Sequence, residues 1–341
     1  MLEKIWFLLW GILWAVYFIL DGYDLGIGVL MPILGCNEQD KRVIYNAIGP
    51  FWDGNEVWLI TAGGVTFAAF PEAYAVMFSS LYTPLILLLC CLMIRGVSIE
   101  FRKRIDTHIW KGCWDFIFSA SSFCVTILLG IFFGNLFKGV PIDREGILQG
   151  DIFTLLNPYA LVCGFLFIIL FLLHGSLWLA VKSEGELYDR SVKFAGKMAG
   201  MQVLCVLVFL GLSYFQTPLF ENFKKRPPFF LEVFLLGIGL ALTPYFISRR
   251  EIWKAWGSSA LSIIGTTLFG ISGMYPALLP SSLGGEFSKT IYNSAASQLT
   301  LQIMLGVTLV VIPIVVVYQA WVHKEFSFKV DDKELAKESS Y

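Results

Sequence analysis

Charged residues are scarce in this chain. Only 15% of its 341 residues are Asp, Glu, Lys or Arg, against about a quarter in an ordinary soluble domain. The formal net charge of -1 gives no basic field, which excludes nucleic acid as a partner. Histidine is also rare, with three residues, and the seven cysteines show no metal-ligand spacing. A soluble globule and a metal site are therefore both disfavoured.

Hydrophobic residues make up 57% of the chain and recur in runs along its whole length. A helix needs about 20 residues to cross a bilayer, so the pattern predicts an all-α polytopic membrane protein. The first run lacks a small-residue cleavage site and is interpreted as a retained span. We expect a single transmembrane domain over residues 1–322 and a short solvated cytoplasmic tail over 323–341. The nine predicted spans are approximately 4–34, 46–70, 72–104, 111–137, 154–181, 194–216, 228–249, 252–275 and 297–322.

Lysine and arginine predict the orientation of these spans. With the N-terminus outside, the inner segments hold 17 of the 25 basic residues and the outer segments hold 7, while Arg95 lies within a span. Cytoplasmic loops of membrane proteins carry such an excess. We therefore expect the N-terminus outside and the C-terminus in the cytoplasm.

Span length also places acidic residues inside the membrane. A helix from Val57 to Phe70 would be about 21 Å long, short of a hydrocarbon core of roughly 30 Å. Starting it near Asn46 makes a full span and brings Asp53 and Glu56 inside. The same reasoning extends the first helix past "DGYDLGIG", which brings Asp21 and Asp24 inside as well.

These charged residues are predicted to lie at related depths. Asp53 lies roughly 10 Å from the inner end of its helix, and Asp24, Glu56 and Arg95 lie roughly 15 Å from theirs. Two further acids, Glu100 and Asp115, lie nearer the cytoplasm at roughly 6–8 Å, and Asp21 lies at about 20 Å. Together they form a ladder from the inner surface to the middle of the membrane.

Two interpretations of the ladder remain open. An ionised side chain in hydrocarbon costs at least about 2.5 kcal/mol, so these groups must pair, hydrate or carry a proton. Acids at positions i and i+3 repel each other when both are ionised, which suits a path that loads and releases protons. Alternatively, the carboxylates only hydrogen-bond to neighbours or to a partner and fix helix packing. The glycines of "DGYDLGIG", like Gly63 and Gly64, are interpreted as points of close helix approach.

A haem ligated by this chain is disfavoured, because haem needs axial His or Met ligands at matched depth. His108 and His323 are predicted at helix ends, and only His174 lies well inside the membrane. We interpret His174 as an interior histidine with satisfied hydrogen bonds, although pairing with a methionine as a haem ligand stays open.

Six stretches resemble subunit II of cytochrome bd-type quinol oxidases, over about residues 6–322. The W-D-G-N-x-V-W-L-I-T-A-G-G block is the most specific of them. The six are "DGYDLGIGVL", "IGPFWDGNEVWLITAGGVTFAAFPEAYA", "RGVSIEFR", "FGNLFKGVP", "LLNPYALVCG" and "SQLTLQIM".

The resemblance implies a fold and a complex. It implies nine helices, as two four-helix bundles plus one peripheral helix, in the bacterial plasma membrane. Subunit II would pair with subunit I, which holds haem b, haem d and the quinol-binding loop, and would itself hold none of these cofactors. The complex would oxidise quinol and reduce oxygen to water with cytoplasmic protons. A small single-helix accessory subunit and bound lipid or quinone are further candidate partners, and ubiquinol and menaquinol both remain open as donors.

The resemblance also implies roles for residues. The aspartate of the W-D-G-N block is the family's key acid on the proton route, and here it is Asp53. Some members have an Asp and a Lys at the cytoplasmic end of the third helix, where this chain has Glu100 and Arg104. Because a guanidinium does not release its proton, we expect Arg104 to set the local field rather than carry protons.

Two rival functions remain. One is a stand-alone proton-coupled transporter, although the chain shows no inverted repeat to support it. The other is a purely structural scaffold whose carboxylates only pack against subunit I.

Overall fold

The computed structural model describes residues 1–226, 230–330 and 335. Helices dominate it, in agreement with the all-α prediction. The α-helices are α1 (Leu2–Leu34), α2 (Glu38–Ile48), α3 (Trp52–Ala69), α4 (Pro71–Ser80), α5 (Tyr82–Phe101), α6 (His108–Lys138), α7 (Pro158–Lys182), α8 (Gly185–Gln216), α9 (Leu219–Lys225), α10 (Phe230–Ser248), α11 (Ile252–Met274) and α12 (Gln298–Glu325).

Short elements connect these helices. Three 3-10 turns cover Arg102–Arg104, Ile152–Leu155 and Gly285–Phe287. Strands β1 (Ala277–Leu279) and β2 (Lys289–Thr290) pair antiparallel in the connection between α11 and α12.

Seven described helices are long and apolar enough to cross a membrane on their own: α1, α5 with its 3-10 turn, α6, α7, α8, α10 and α12. The pair α3 and α4 passes the same test together, but the chain bends by 119° between them. Length and composition thus support seven spans, or up to eight, among the described residues. The predicted span 252–275 coincides with α11, a 23-residue helix whose serine, threonine and glycine residues make it more polar.

Two predicted boundaries were wrong. The second span was expected to begin near residue 46, but α2 ends at Ile48 and α3 begins at Trp52. Gly49 and Pro50 lie between them, where proline provides no amide donor to continue a helix. The predicted helix 72–104 is also divided, because α4 ends at Ser80 and α5 begins at Tyr82.

The predicted tail differs from its expected form where it is described. Helix α12 continues to Glu325, three residues past the expected boundary. Beyond it, the backbone N–H of Val330 donates to the carbonyl oxygen of Lys182 over 2.8 Å, and Val330 is buried. Val330 therefore packs against the end of α7, whereas Ser327, Phe328 and Lys329 before it are exposed. Residues 331–334 and 336–341 of the tail lie outside the described residues.

The helices pack in two groups around α1 and α7. Helices α1, α3, α5 and α6 form one group, and α7, α8, α10 and α11 form the other. Helix α1 also packs on α7 and α11 and so joins the groups. Helix α12 lies outside both, and only 6% of its most apolar segment is buried.

Glycine permits the closest of these contacts, between α1 and α7. A Cβ added to Gly26 would lie 1.9 Å from the carbonyl oxygen of Phe171, and one added to Gly175 would lie 2.7 Å from the backbone nitrogen of Ile27. The prediction of close helix approach is thus confirmed for "DGYDLGIG". Gly63 and Gly64 have no described atom of this chain within 4 Å of an added Cβ, so for them the expectation stays a prediction.

Basic side chains collect at one end of the helices, which we call the basic end. There α1 finishes next to the start of α8, where Arg190 donates to the carbonyl oxygen of Leu34. The start of α6 meets the end of α5 there, through Asp115 and Arg102. This is the end that the sequence predicts to be cytoplasmic.

Candidate functional site

Three helices bring an ionic cluster together in the interior. Asp21 on α1 and Arg95 on α5 have no exposed side-chain surface, and their Oδ1 and Nη1 atoms lie 3.3 Å apart. The same Nη1 donates to Oε1 of Glu56 on α3, whose side chain is 21% exposed. The structure thus places Arg95 between two carboxyl groups.

Asn55 connects this cluster to a second acid. Its Nδ2 lies 2.7 Å from Oδ2 of Asp24 and 2.8 Å from the hydroxyl oxygen of Tyr23. Its Oδ1 accepts from Nε2 of Gln319 on α12 over 3.1 Å, and Trp58 donates to the other end of that amide over 2.7 Å. All of the Asn55 and Asp24 side chains are buried. One amide thus fixes the positions of α1, α3 and α12 relative to one another.

The cluster has more acid than base. Three buried or half-buried carboxyls, those of Asp21, Asp24 and Glu56, share one cation, Arg95. In an apolar interior an unbalanced charge is strongly disfavoured, so the cluster is neutral only when two of the three carboxyls carry protons. The arrangement is therefore suited to binding and exchanging protons.

Several polar atoms in the cluster have no hydrogen-bond partner within the described part of the chain. They are Oδ1 of Asp24 and Nε and Nη2 of Arg95. Buried polar groups normally find partners in protein or ordered water. This concentration is typical of a hydrated interior site.

Asp53 lies apart from the cluster. It is exposed on α3, together with Gly54, Val57 and Ile60, and its side chain makes no ion pair or hydrogen bond with the described residues. Successive residues of a helix point about 100° apart, so Asp53 and the buried Asn55, two positions on, face opposite sides of α3. The expected depth of Asp53 stays a prediction. Asp53 faces outward from the chain, one turn from Glu56.

Asp115 belongs to a different cluster, at the basic end. Its carboxylate accepts from Nε of Arg102 at 2.5 Å, from Nζ of Lys41 at 2.9 Å and from the hydroxyl of Tyr45 at 3.1 Å. Arg102 is itself paired with Glu38 at 2.9 Å. Burial, and then the charge of Asp115, raise the pKa of Tyr45 well above its ordinary value, so the phenol remains a donor.

The other two predicted residues lie near this end without joining either cluster. Glu100 is half-buried near the end of α5, and Arg104 is exposed in the 3-10 turn that follows. Neither is among the partners of Arg95 or Asp115.

Sequence reasoning missed the uncharged members of the site. Asn55 stood in the W-D-G-N block, and its place one residue before Glu56 was a usable signal. Gln319 gave none, because a lone glutamine in an apolar helix acquires meaning only from what packs against it. Tyr23 was likewise hidden between Asp21 and Asp24.

His174 is satisfied by its neighbours, as expected. Nε2 lies 3.1 Å from the carbonyl oxygen of Ile19, which can only accept, so Nε2 carries the proton. Nδ1 then accepts from the hydroxyl of Ser259 at 2.9 Å. Both ring nitrogens are engaged, so this donor set does not fit an axial haem ligand.

Comparison with known proteins decides the family. The family model "Cytochrome bd terminal oxidase subunit II" matches residues 2–326. The chain belongs to this family. Among curated relatives it is 33% identical to the cytochrome bd ubiquinol oxidase subunit 2 of Bacillus subtilis, over 98% of each chain. It is 32% identical to the cytochrome bd-I ubiquinol oxidase subunit 2 of Escherichia coli K12, over 98% of this chain and 96% of that one.

A solved structure shares the fold. The bd oxidase from Geobacillus thermodenitrificans matches with a TM-score of 0.80, over 95% of this chain and 98% of that one, at 14% identity. Membership of the family confirms three predictions: this chain is a subunit of a bacterial quinol oxidase, it spans the cell membrane several times, and it has a subunit I partner. Haem and quinol belong to the complex as a whole.

Proposed function

We propose that this subunit carries protons from the cytoplasm toward the oxygen-reducing haem of subunit I. The observation that carries the proposal is the buried group of three carboxyls around one guanidinium, Asp21, Asp24 and Glu56 with Arg95. Such a group needs protons to be neutral, and a structural ion pair would need only one acid. The polar atoms without partners around it support a hydrated path.

Asp53 would transfer these protons between subunits. It lies on an outward face of α3 where Gly54 and Gly64 leave open space, which suits close approach by another helix. An exposed carboxylate facing lipid would be costly, so this face is the one we assign to subunit I. Glu56, half-buried one turn away, would link Asp53 to Arg95 and the interior acids.

Glu100 and Asp115 would lie at the cytoplasmic entrance, with Arg104 setting the local field. Glu100 is the more accessible of the two acids for proton uptake. Asp115 is held by Arg102, Lys41 and Tyr45, which supports a packing role for it. The orientation with the N-terminus outside and the C-terminus in the cytoplasm follows from the basic end.

The redox groups would belong to subunit I. Of this chain's three histidines, His174 has both ring nitrogens engaged, and His323 bonds to Tyr23 and Gln319.

We further propose nine spans in one domain over residues 1–322. Helices α3 and α11 would complete the seven helices that are long and apolar enough to span on their own, and α12 would be the peripheral helix. A small accessory subunit and bound lipid or quinone remain candidate partners on the exposed helix faces.

The test is Asp53→Asn in the complete oxidase, purified with its partner. We expect oxygen consumption per assembled haem to fall by about 100-fold, because a positioned proton-transfer group contributes ~10²–10⁴ in rate. Haem absorbance measures assembly, which should be preserved because Asp53 packs against nothing in its own chain. The matched control is Asp189→Asn, which removes an exposed acid whose ion-pair partner among the described residues is Arg250 at the surface.

Full turnover in an assembled Asp53→Asn complex would refute the proton path and favour the scaffold. Transport of a solute by this chain alone in liposomes would instead favour the stand-alone transporter.

A further inference from the structure

A line of hydrogen bonds runs from Asp24 to the last turn of α12. Nδ2 of Asn55 lies 2.7 Å from Asp24 and 2.8 Å from the hydroxyl oxygen of Tyr23. That hydroxyl lies 3.3 Å from Nε2 of His323, and Nδ1 of His323 lies 2.8 Å from the carbonyl oxygen of Gln319. The proposed path through Asp53 and Glu56 uses neither Tyr23 nor His323.

The partners fix where the hydrogens are. The carbonyl oxygen of Gln319 can only accept, so Nδ1 of His323 carries a proton and Nε2 presents a lone pair. Asn55 donates through Nδ2 to the oxygen of Tyr23, which leaves the phenolic hydrogen free to point at Nε2 of His323. The hydroxyl of Tyr23 is therefore an acceptor on the Asp24 side and a donor on the His323 side.

The two ends of this line differ in accessibility. Asp24, Asn55 and Tyr23 are buried, whereas His323 is half-buried, and Lys324 next to it is exposed. His323 is faced by Tyr23 from α1, by the ring of Phe51 at 4.6 Å between centroids and by the ring of Trp178 at 5.9 Å. Lys182 at the end of α7 is also near, with its ammonium 5.0 Å from the centroid of the same Phe51 ring. His323 is thus the more accessible end of this line, in the last turn of α12.

We propose that His323 and Tyr23 form a proton inlet to Asp24, separate from the entrance at Glu100. This inlet rests on the proposed proton path, which it supplies at Asp24. The inlet would carry protons that come from water at the basic end.

One proton moves inward in two steps. When the Tyr23 hydroxyl turns away, Nε2 of His323 takes a proton from water and the ring becomes an imidazolium. Tyr23 then gives its phenolic proton to the Asp24 carboxylate and receives the Nε2 proton of His323. Neutral imidazole, neutral phenol and one protonated carboxyl remain, so one proton has moved inward.

Asn55 holds the two oxygens for that transfer. Both oxygens accept from one amide nitrogen and so lie near each other, and we propose that one water molecule carries the proton from Tyr23 to Asp24. Oδ1 of Asp24 has no hydrogen-bond partner within the described residues and is available to such a water.

Two variants of the complete oxidase test the inlet. Tyr23→Phe removes the hydroxyl and keeps the ring that stacks on Trp178 at 4.5 Å. His323→Ala removes the proton carrier. We expect either to lower oxygen consumption per assembled haem by about tenfold, as expected for loss of a proton-transfer group. Added imidazole should restore much of the rate to His323→Ala and none to Tyr23→Phe, a response that a purely structural role would not produce.

Matched controls measure the cost of losing packing alone. Tyr159→Phe removes a buried phenol that bonds to Ser213 at 2.7 Å, away from the line. His108→Ala removes an exposed histidine at the start of α6. Both should keep wild-type turnover per haem.

The inlet is overturned if assembled Tyr23→Phe and His323→Ala oxidases turn over within about twofold of wild type, or if imidazole fails to rescue His323→Ala. Measuring the Asp53→Asn oxidase alongside these variants distinguishes failure of the inlet from failure of the whole proton path. Slow Asp53→Asn with fast Tyr23→Phe refutes only the inlet, whereas fast turnover in every variant refutes the proton path itself.

Discussion

Arg95 of α5 lies 3.3 Å from Asp21 of α1, and neither side chain has exposed surface. The same guanidinium nitrogen donates to Glu56 of α3. A single cation therefore joins three helices through two acids, and the cluster holds more negative groups than positive ones. The stability of the cluster and its capacity to hold protons therefore both depend on Arg95.

Replacing that cation should damage assembly. Arg95→Leu leaves Asp21 and Glu56 without a counter-charge, and breaking a buried pair in this way costs about 3–5 kcal/mol. We expect a large loss of assembled oxidase, measured by haem absorbance in purified membranes. The control, Arg104→Leu, removes an exposed arginine and should assemble normally. Normal yield of Arg95→Leu would mean that the acids are already neutral without it.

Changing Asn55 should affect both stability and rate. Asn55→Asp keeps the shape but replaces a donor to Asp24 and Tyr23 with another acid, at a cost of about 1–3 kcal/mol for the groups left unpaired. We expect a lower melting temperature of the complex and slower oxygen consumption. Asn135→Asp, at a buried asparagine that bonds only to the carbonyl oxygens of Ile131 and Leu155 and to Asn157, should lower the melting temperature without changing turnover per haem. Equal rates in the two variants would argue against a role for Asn55 in proton transfer.

Asp115 should prove structural. Asp115→Asn removes the charge that balances Arg102 and Lys41, so less complex should assemble, while turnover per assembled haem should be unchanged. The comparison variant is Asp40→Asn, which removes the charge of another acid at the basic end, one that is paired with Arg190 at 2.6 Å. A specific loss of turnover in Asp115→Asn alone would place Asp115 on the proton path.

The contact between α1 and α7 should not tolerate a side chain at Gly26. A Cβ there would lie 1.9 Å from a backbone oxygen that cannot move independently, so Gly26→Ala should cost at least about 3 kcal/mol. The measurement is the yield and melting temperature of the complex. Gly257→Ala, an exposed helical position with no described atom within 4 Å of its Cβ, should be neutral or slightly stabilising. Normal assembly of Gly26→Ala would show that the two helices can separate without loss.

Much of the site could be anticipated from span length. The need for about 20 residues per span moved Asp21, Asp24 and Glu56 into the membrane and set them near Arg95 in depth. Depth along a helix follows from a constant rise per residue, so it can be estimated from the sequence alone. Direction around the helix is not fixed in the same way when most residues are apolar, so the sequence did not show that Asp53 faces outward.

The sequence by itself determined that the chain is a helical membrane protein with acids inside, because apolar run length and charge scarcity need no tertiary contact to interpret. It also determined the family, through the block around Asp53. Only the tertiary structure decided which acids share Arg95, that Asn55 joins Asp24 to Tyr23, and that His323 reaches Tyr23 from α12. Those contacts join residues up to 300 positions apart, and they depend on how the helices rotate and pack, which local composition does not specify.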